Sequence, residues 1–195
     1  MIMDRAILKS AAKQDIKGKI GILFAISLLM SLISGALAGI PVLGTIAGLI
    51  ISGGFSLASA NIYLGVSRGI KPEIGDMFGY MKHCLTGFCA TFLIGLFTFL
   101  WSLLLFVPGI IKACAYSQTM YILADDPSIG AMEAISRSKE MMEGHKMEYF
   151  VMCLSFFGWA ILGAFTLGIL YIWLIPYMET TYANFHRSLQ GEYIG

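Results

Sequence analysis

The sequence predicts an all-α fold, a polytopic transmembrane helical bundle, on three observations: an apolar composition, long stretches free of charge, and turn residues that cut those stretches into pairs. The chain has 195 residues, of which 57% are hydrophobic and 13% charged, and its mean hydropathy is +0.77. Soluble domains carry about a quarter charged residues, so this composition belongs to the membrane class. No Lys, Arg, Asp or Glu occurs from Ile20 to Ser67, from His83 to Ile111, or from Tyr149 to Met178. A helix needs about 20 apolar residues to cross a bilayer, so the first stretch has room for two spans and the others for at least one each.

Helix-breaking residues divide the stretches at Ile40-Pro41-Val42-Leu43-Gly44, Val107-Pro108-Gly109 and Thr166-Leu167-Gly168, each a candidate hairpin tip. About six spans follow, near 20–39, 44–66, 85–107, 109–124, 149–166 and 168–186. The fourth is short and carries Lys112. A single integral membrane domain, 1–195, then divides into a basic interfacial helix (1–19), a first hairpin (20–66), a cytoplasmic amphipathic segment (67–84), a second hairpin (85–124), an acidic cytoplasmic helix (125–148), a third hairpin (149–186) and a tail (187–195). The three tips face one side. Of the thirteen Lys and Arg, all but Lys112 fall on the other, and the positive-inside rule makes that side, with both termini, cytoplasmic.

Each element has its own pattern. Ile7, Leu8, Ala11, Ala12 and Ile16 recur at helical spacing among Lys9, Lys13, Lys17 and Lys19, as in a basic helix lying on anionic lipid. Gly35-x-x-x-Gly39 and Gly44-x-x-x-Gly48 flank the first tip, with Ser52, Gly53 and Gly54 continuing the small-residue face, which suits packing within the chain or, as the sharper reading, a homodimer. Ile74, Met77, Phe78 and Met81 follow an i, i+3, i+4, i+7 pattern that lies against the membrane or the bundle. Asp126-Pro127 reads as an N-cap and first-turn proline opening a helix to about Lys146. Six acidic against three basic residues between Asp125 and Glu148 make that helix a solvated face, or a docking surface for a partner.

Duplication is suggested by Pro72-Glu73-Ile74-Gly75-Asp76-Met77 and Pro127-Ser128-Ile129-Gly130-Ala131-Met132, which share Pro, Ile, Gly and Met in register. Tyr63, Tyr121 and Tyr182 stand late in the second, fourth and sixth spans, each after polar or small residues. The reading is three hairpins in quasi-repeat around a common axis, all pointing the same way, unlike the inverted pairs of many transporters.

Val107-Pro108-Gly109-Ile110-Ile111-Lys112-Ala113, Tyr121-Ile122-Leu123-Ala124-Asp125-Asp126-Pro127, Ala134-Ile135-Ser136-Arg137-Ser138-Lys139-Glu140-Met141-Met142 and Gly144-His145-Lys146 together closely resemble the bacterial membrane family called domain of unknown function 975. The resemblance runs over nearly the whole chain, to Pro176-Tyr177 and Tyr182. It implies a bacterial plasma-membrane protein, most often Gram-positive. That family has no established activity, so no functional residue carries over.

Motifs for chemistry are few. There is no nucleotide loop, zinc helix, nucleophile elbow or nucleic-acid motif, so neither an enzyme nor a nucleic-acid partner is expected, and no cofactor. Cys84, Cys89, Cys114 and Cys153 form no C-x-x-C pair and read as packing residues. Ala36-Leu37-Ala38 resembles a signal cleavage site, but the leader through Lys19 and the apolar run are too long for one. His83 and His186 sit at span ends. His145 and Glu148, one turn apart, supply too few ligands for a metal and read as a polar pair.

Glu179 stands out. It lies eleven positions after Gly168, roughly 16 Å along a helix and near the middle of the hydrocarbon, where an ionisable group is costly and a functional candidate by default. Gln118 takes the equivalent place when Tyr121 and Tyr182 are aligned, and Pro176 frees a carbonyl one turn earlier. The candidate intramembrane polar site is therefore Glu179, Gln118, Lys112, Tyr121 and Tyr182. A plainer role for Glu179 is as a hydrogen-bonded residue at the cytoplasmic interface, and for Lys112 as a snorkelling anchor about 12 Å from Glu179 in depth. The function expected is non-enzymatic transport or accommodation of a solute, ion or amphiphile along this axis. The rival is a scaffold or regulator binding a partner through its cytoplasmic helices. The expected partners are the lipid bilayer and either further copies of the chain or another membrane protein.

Overall fold

The computed structural model describes residues 5–38, 43–104, 106–166 and 168–192, all of them helix, turn or loop without a strand among the described residues. Helices α1 (Arg5–Asp15), α2 (Ile20–Ala38) and α3 (Leu43–Ser67) come first, then two short 3₁₀ turns at Ile74–Phe78 and Met81–His83. Helices α4 (Cys84–Leu104), α5 (Phe106–Tyr116), α6 (Thr119–Asp125), α7 (Ala131–Met141), α8 (Lys146–Phe165) and α9 (Tyr171–Leu189) follow. The expected first, second, third and fifth segments become α2, α3, α4 and α8, each end within three residues. Consecutive helices pair as expected, α2 with α3, α4 with α5 and α8 with α9.

Six spans are not what forms. Among the described residues three segments, Ala47–Ser67, Ile74–Leu103 and Lys146–Gly163, are long and apolar enough to cross a membrane, or four if α1 and α2, bent by 88° to each other, make one broken span. The expected fourth span is split into α5 and α6, of 11 and 7 residues, each too short to cross alone. The expected sixth is α9, whose second half carries Glu179, Thr180, Thr181, Asn184, His186 and Arg187; these polar groups lower its hydropathy, and Thr180, Thr181, Asn184 and His186 are buried among other helices.

Turn chemistry departs in two places. Val107-Pro108-Gly109 is not a tip but the first turn of α5, where the missing proline N–H costs nothing, and Gly109 lies so close to Ser102 of α4 that a Cβ would collide with it. Asp126 does not cap a helix: its Oδ1 accepts the Ser128 N–H at 3.2 Å in a tight turn, and α7 starts five residues later after Gly130. At the third expected tip α8 ends at Phe165 and Gly168 takes φ +87°, while Leu167, like Ile40, Pro41 and Val42 of the first, lies outside the described residues. The two similar phrases at 72–77 and 127–132 fold differently, one into a 3₁₀ turn and the other into a turn leading to an α-helix.

Helices α3 and α9 form the axis, each in contact with α1, α2 and the other. The closest approach joins α3 to α4. A Cβ on Gly53 would run into the Phe88 backbone nitrogen, and one on Gly87 into the Gly53 carbonyl, so bare backbone is required on both sides. Gly35, by contrast, has open space around it. The apolar stripe of α1 (Leu8, Ala11, Ala12 and Ile16) is buried against protein, chiefly α9, rather than left for lipid. Lys9 Nζ donates to Ser155 Oγ of α8 at 2.6 Å and lies 4.5 Å from the centre of the Phe156 ring.

Burial is uneven along the bundle. One end is dry and partly polar, built from the second half of α3, α6 and the second half of α9. Elsewhere large apolar side chains point outward, among them Leu32, Phe92, Phe99, Leu103, Phe157 and Phe165.

Candidate functional site

Helix α9 places its polar residues by period. Glu179, Tyr182 and His186 stand at i, i+3 and i+7, on one face. That face meets α6, where the Tyr121 hydroxyl lies 3.4 Å from Glu179 Oε2 and 3.5 Å from the Glu179 carbonyl. Tyr63 of α3, Tyr149 of α8 and Tyr182 of α9 also lie within electrostatic range of the Glu179 carboxylate. The three tyrosines that recur along the sequence therefore converge on one carboxylate, joined by a fourth. Glu179 is partly exposed, and among the described residues no Lys, Arg or His forms an ion pair with it.

Tyr182 packs against Tyr149 (ring centres 5.6 Å) and edge-on to Phe156 (5.9 Å). On the neighbouring face of α9, Thr180 Oγ1 and Asn184 Oδ1 are buried with no hydrogen-bond partner, while Asn184 Nδ2 donates to Asp15 Oδ2 at 3.0 Å, tying down the end of α1. Buried polar atoms left over in this way mark a cluster with unused hydrogen-bonding capacity.

Gln118 joins a different group. Fully buried, it donates from Nε2 to Ser117 Oγ at 2.9 Å and turns Oε1 toward His186 Nδ1, 3.2 Å away. His186, also fully buried, stacks on Tyr121 with ring centres 5.5 Å apart and reaches Asp125 Oδ2 through Nε2 at 3.2 Å. Asp125 then takes Arg68 Nη1 at 2.7 Å and Gln190 Nε2 at 2.9 Å. Arg68 continues to Glu192 at 2.8 Å, Glu192 to Arg187 at 2.6 Å, and Arg187 donates to the Ser67 carbonyl. Burial alone would raise the Asp125 carboxyl, but the bonds from His186, Arg68 and Gln190 outweigh it and hold the group below the usual carboxylate range. Arg68 and Arg187 hold Glu192 below that range too, against the smaller opposing effect of its burial.

Lys112 belongs to neither group. Its ammonium lies 4.7 Å from the centre of the Trp101 ring on α4, an anchoring contact and not a member of the polar axis. Of the five residues expected to share a site, then, Glu179, Tyr121 and Tyr182 come together, Gln118 is linked to them through the His186–Tyr121 stack, and Lys112 stands apart. His186, Asp125 and Arg68 are the members that sequence reasoning passed over. The heptad spacing of Glu179 and His186 was a usable signal for the first; nothing local pairs Arg68 with Asp125. His145 Nδ1 and Glu148 Oε2 do form a pair at 3.0 Å.

Residues 103–192, which contain α5 to α9 and most of both groups, match the family model described as Protein of unknown function (DUF975), a shorter extent than the sequence resemblance suggested. No curated protein and no solved structure matches the chain.

Proposed function

Since residues 103–192 belong to the DUF975 family, whose function is unknown, we propose from the geometry that this is a non-enzymatic, multi-pass bacterial plasma-membrane protein with cytoplasmic termini that accommodates a cationic solute, ion or amphiphile at Glu179. The observation that carries the reading is a carboxylate without a cationic partner among the described residues, within electrostatic range of Tyr63, Tyr121, Tyr149 and Tyr182. A carboxylate among phenol oxygens is the chemistry that favours an organic or inorganic cation over an anion. The unpartnered Thr180 and Asn184 oxygens supply acceptors nearby on the same helix.

Level matters to the mechanism. The last outward-facing large apolar residue of α9 is Ile175, and Lys13 of α1 lies 5.7 Å from the centre of the Tyr177 ring. In this reading Glu179, half a turn further in, sits at the inner boundary of the hydrocarbon, where a cation arrives from water without crossing the apolar belt. The fully buried Gln118 and His186 continue the polar path toward Asp125. In a strain whose growth depends on the gene, Glu179→Gln should fail to complement while keeping the native unfolding temperature; full complementation by that variant would sink the proposal.

A second reading, a scaffold for another protein, is favoured by one observation: Met132 on α7 is 58% exposed beside the Glu133–Arg137 pair. Cross-linking from Glu133 or Glu140 in native membranes, read by mass spectrometry, supports it if one protein is captured in stoichiometric amount.

A further inference from the structure

A groove of about 190 Å³ runs between α2 and α9, away from Glu179, lined by Phe24, Ser27, Leu28, Ser31, Ile175 and Pro176 with Tyr171 at its outer end. Its walls are mostly carbon, and it opens on the face where Phe24, Leu28 and Ile175 are themselves exposed. At the inner end the chemistry changes. Lys13 lies over the ring of Tyr177, the residue after Pro176, and α1 turns sharply into α2 through Gly18 at φ +77°, which brings Lys17 to the start of the same groove-forming helix. Both lysines are exposed, and among the described residues neither forms an ion pair with a carboxylate.

We infer that this groove binds an anionic phospholipid of the surrounding bilayer, one acyl chain lying along α2 and α9 and the phosphate meeting Lys13 and Lys17. Charge complementarity selects this occupant: an apolar trough ending in ammonium groups fits a tail joined to an anionic head, whereas a zwitterionic head brings its own cation to the lysines. Buried methylenes supply the affinity, at about 0.8 kcal/mol each, and each lysine near an anionic head contributes about a fivefold preference. Docking of α1 on α9 is what sets the lysines at the end of the groove, so the lipid bridges α1, α2 and α9. The inference stands independently of any role for Glu179.

The test uses the full chain in mild detergent with phosphatidylglycerol or phosphatidylcholine added in turn, counting lipids retained by native mass spectrometry. The native chain should retain one phosphatidylglycerol and hold phosphatidylcholine more weakly. Lys13→Gln, an exposed change that leaves the core intact, should reduce the phosphatidylglycerol preference about fivefold. Ser31→Phe fills the groove from an exposed position and should abolish retention of both lipids at an unchanged unfolding temperature. Equal retention of the two lipids by the native chain overturns the inference, as does a Ser31→Phe variant that still holds phosphatidylglycerol or a Lys13→Gln variant with the native preference. Inorganic phosphate added in place of lipid should leave the unfolding temperature unchanged; stabilisation by phosphate would reassign the site to a soluble anion.

Discussion

The two halves of α9 obey different rules. From Tyr171 to Ile175 the helix exposes Ile172 and Ile175 and buries only Leu174 fully, and the Tyr171 hydroxyl donates to the Ala160 carbonyl at 2.6 Å. From Pro176 to His186 the same helix buries Thr180, Thr181, Asn184 and His186 among α1, α3, α6 and α8. On the proposed membrane reading, hydrocarbon solvates the first half without cost, because lipid tails are as apolar as leucine. Buried polar atoms of the second half cost stability where they lack partners, as Thr180 Oγ1 and Asn184 Oδ1 do, so this half rests more on specific contacts.

Substitutions that compare the dry end with the splayed one sharpen this contrast. The largest effect belongs to Gly53→Ala, whose new methyl meets the backbone of Cys84 and Phe88 and should cost about 1–3 kcal/mol in unfolding experiments in detergent. Gly35→Ala, in open space, should be neutral or stabilising by up to about 1 kcal/mol; equal losses at both positions would erase the distinction. Next is Asp125→Asn, which weakens the bonds from His186 and Arg68 and should cost about 2 kcal/mol at pH 7. Because the native carboxyl is held below its unfolded value of about 4, its contribution is fully present above that pH and is lost on acidification. The gap in stability between Asp125→Asn and the native chain should therefore narrow as pH falls below 4, and a gap that is constant with pH would show that the carboxyl is not the source. Smallest is Lys112→Gln, which removes only the contact with Trp101 and should cost no more than about 1 kcal/mol, with a change in tryptophan emission. A larger loss would return Lys112 to the polar core.

How far such features were legible follows from the same contrast. Runs without charge are a one-dimensional signal, so α2, α3, α4 and α8 could be read directly, and Glu179 was conspicuous as the lone charged residue between Glu148 and Arg187. The split of the fourth span could not be read, because α5 and α6 separate where Gln118 meets partners distant in sequence: its side chain faces His186 and its N–H is capped by Ser138 Oγ at 3.2 Å. Asp126 was misread because a carboxylate that can cap a helix can equally close a turn. Arg68 and Asp125 lie 57 positions apart, and only the packing of α3 against α6 brings them together.

The bridge from Ser67 to Arg187 spans 120 positions, and that separation has a temporal meaning. During synthesis from the N-terminus, α3 and α6 must wait with half-satisfied polar groups until α9 emerges and supplies His186, Arg187 and Gln190. Closure of the dry end is thus a late event with a large loop entropy to overcome. A chain stopped before Tyr171 would expose those groups, a recognisable feature for the quality control that removes unfinished proteins.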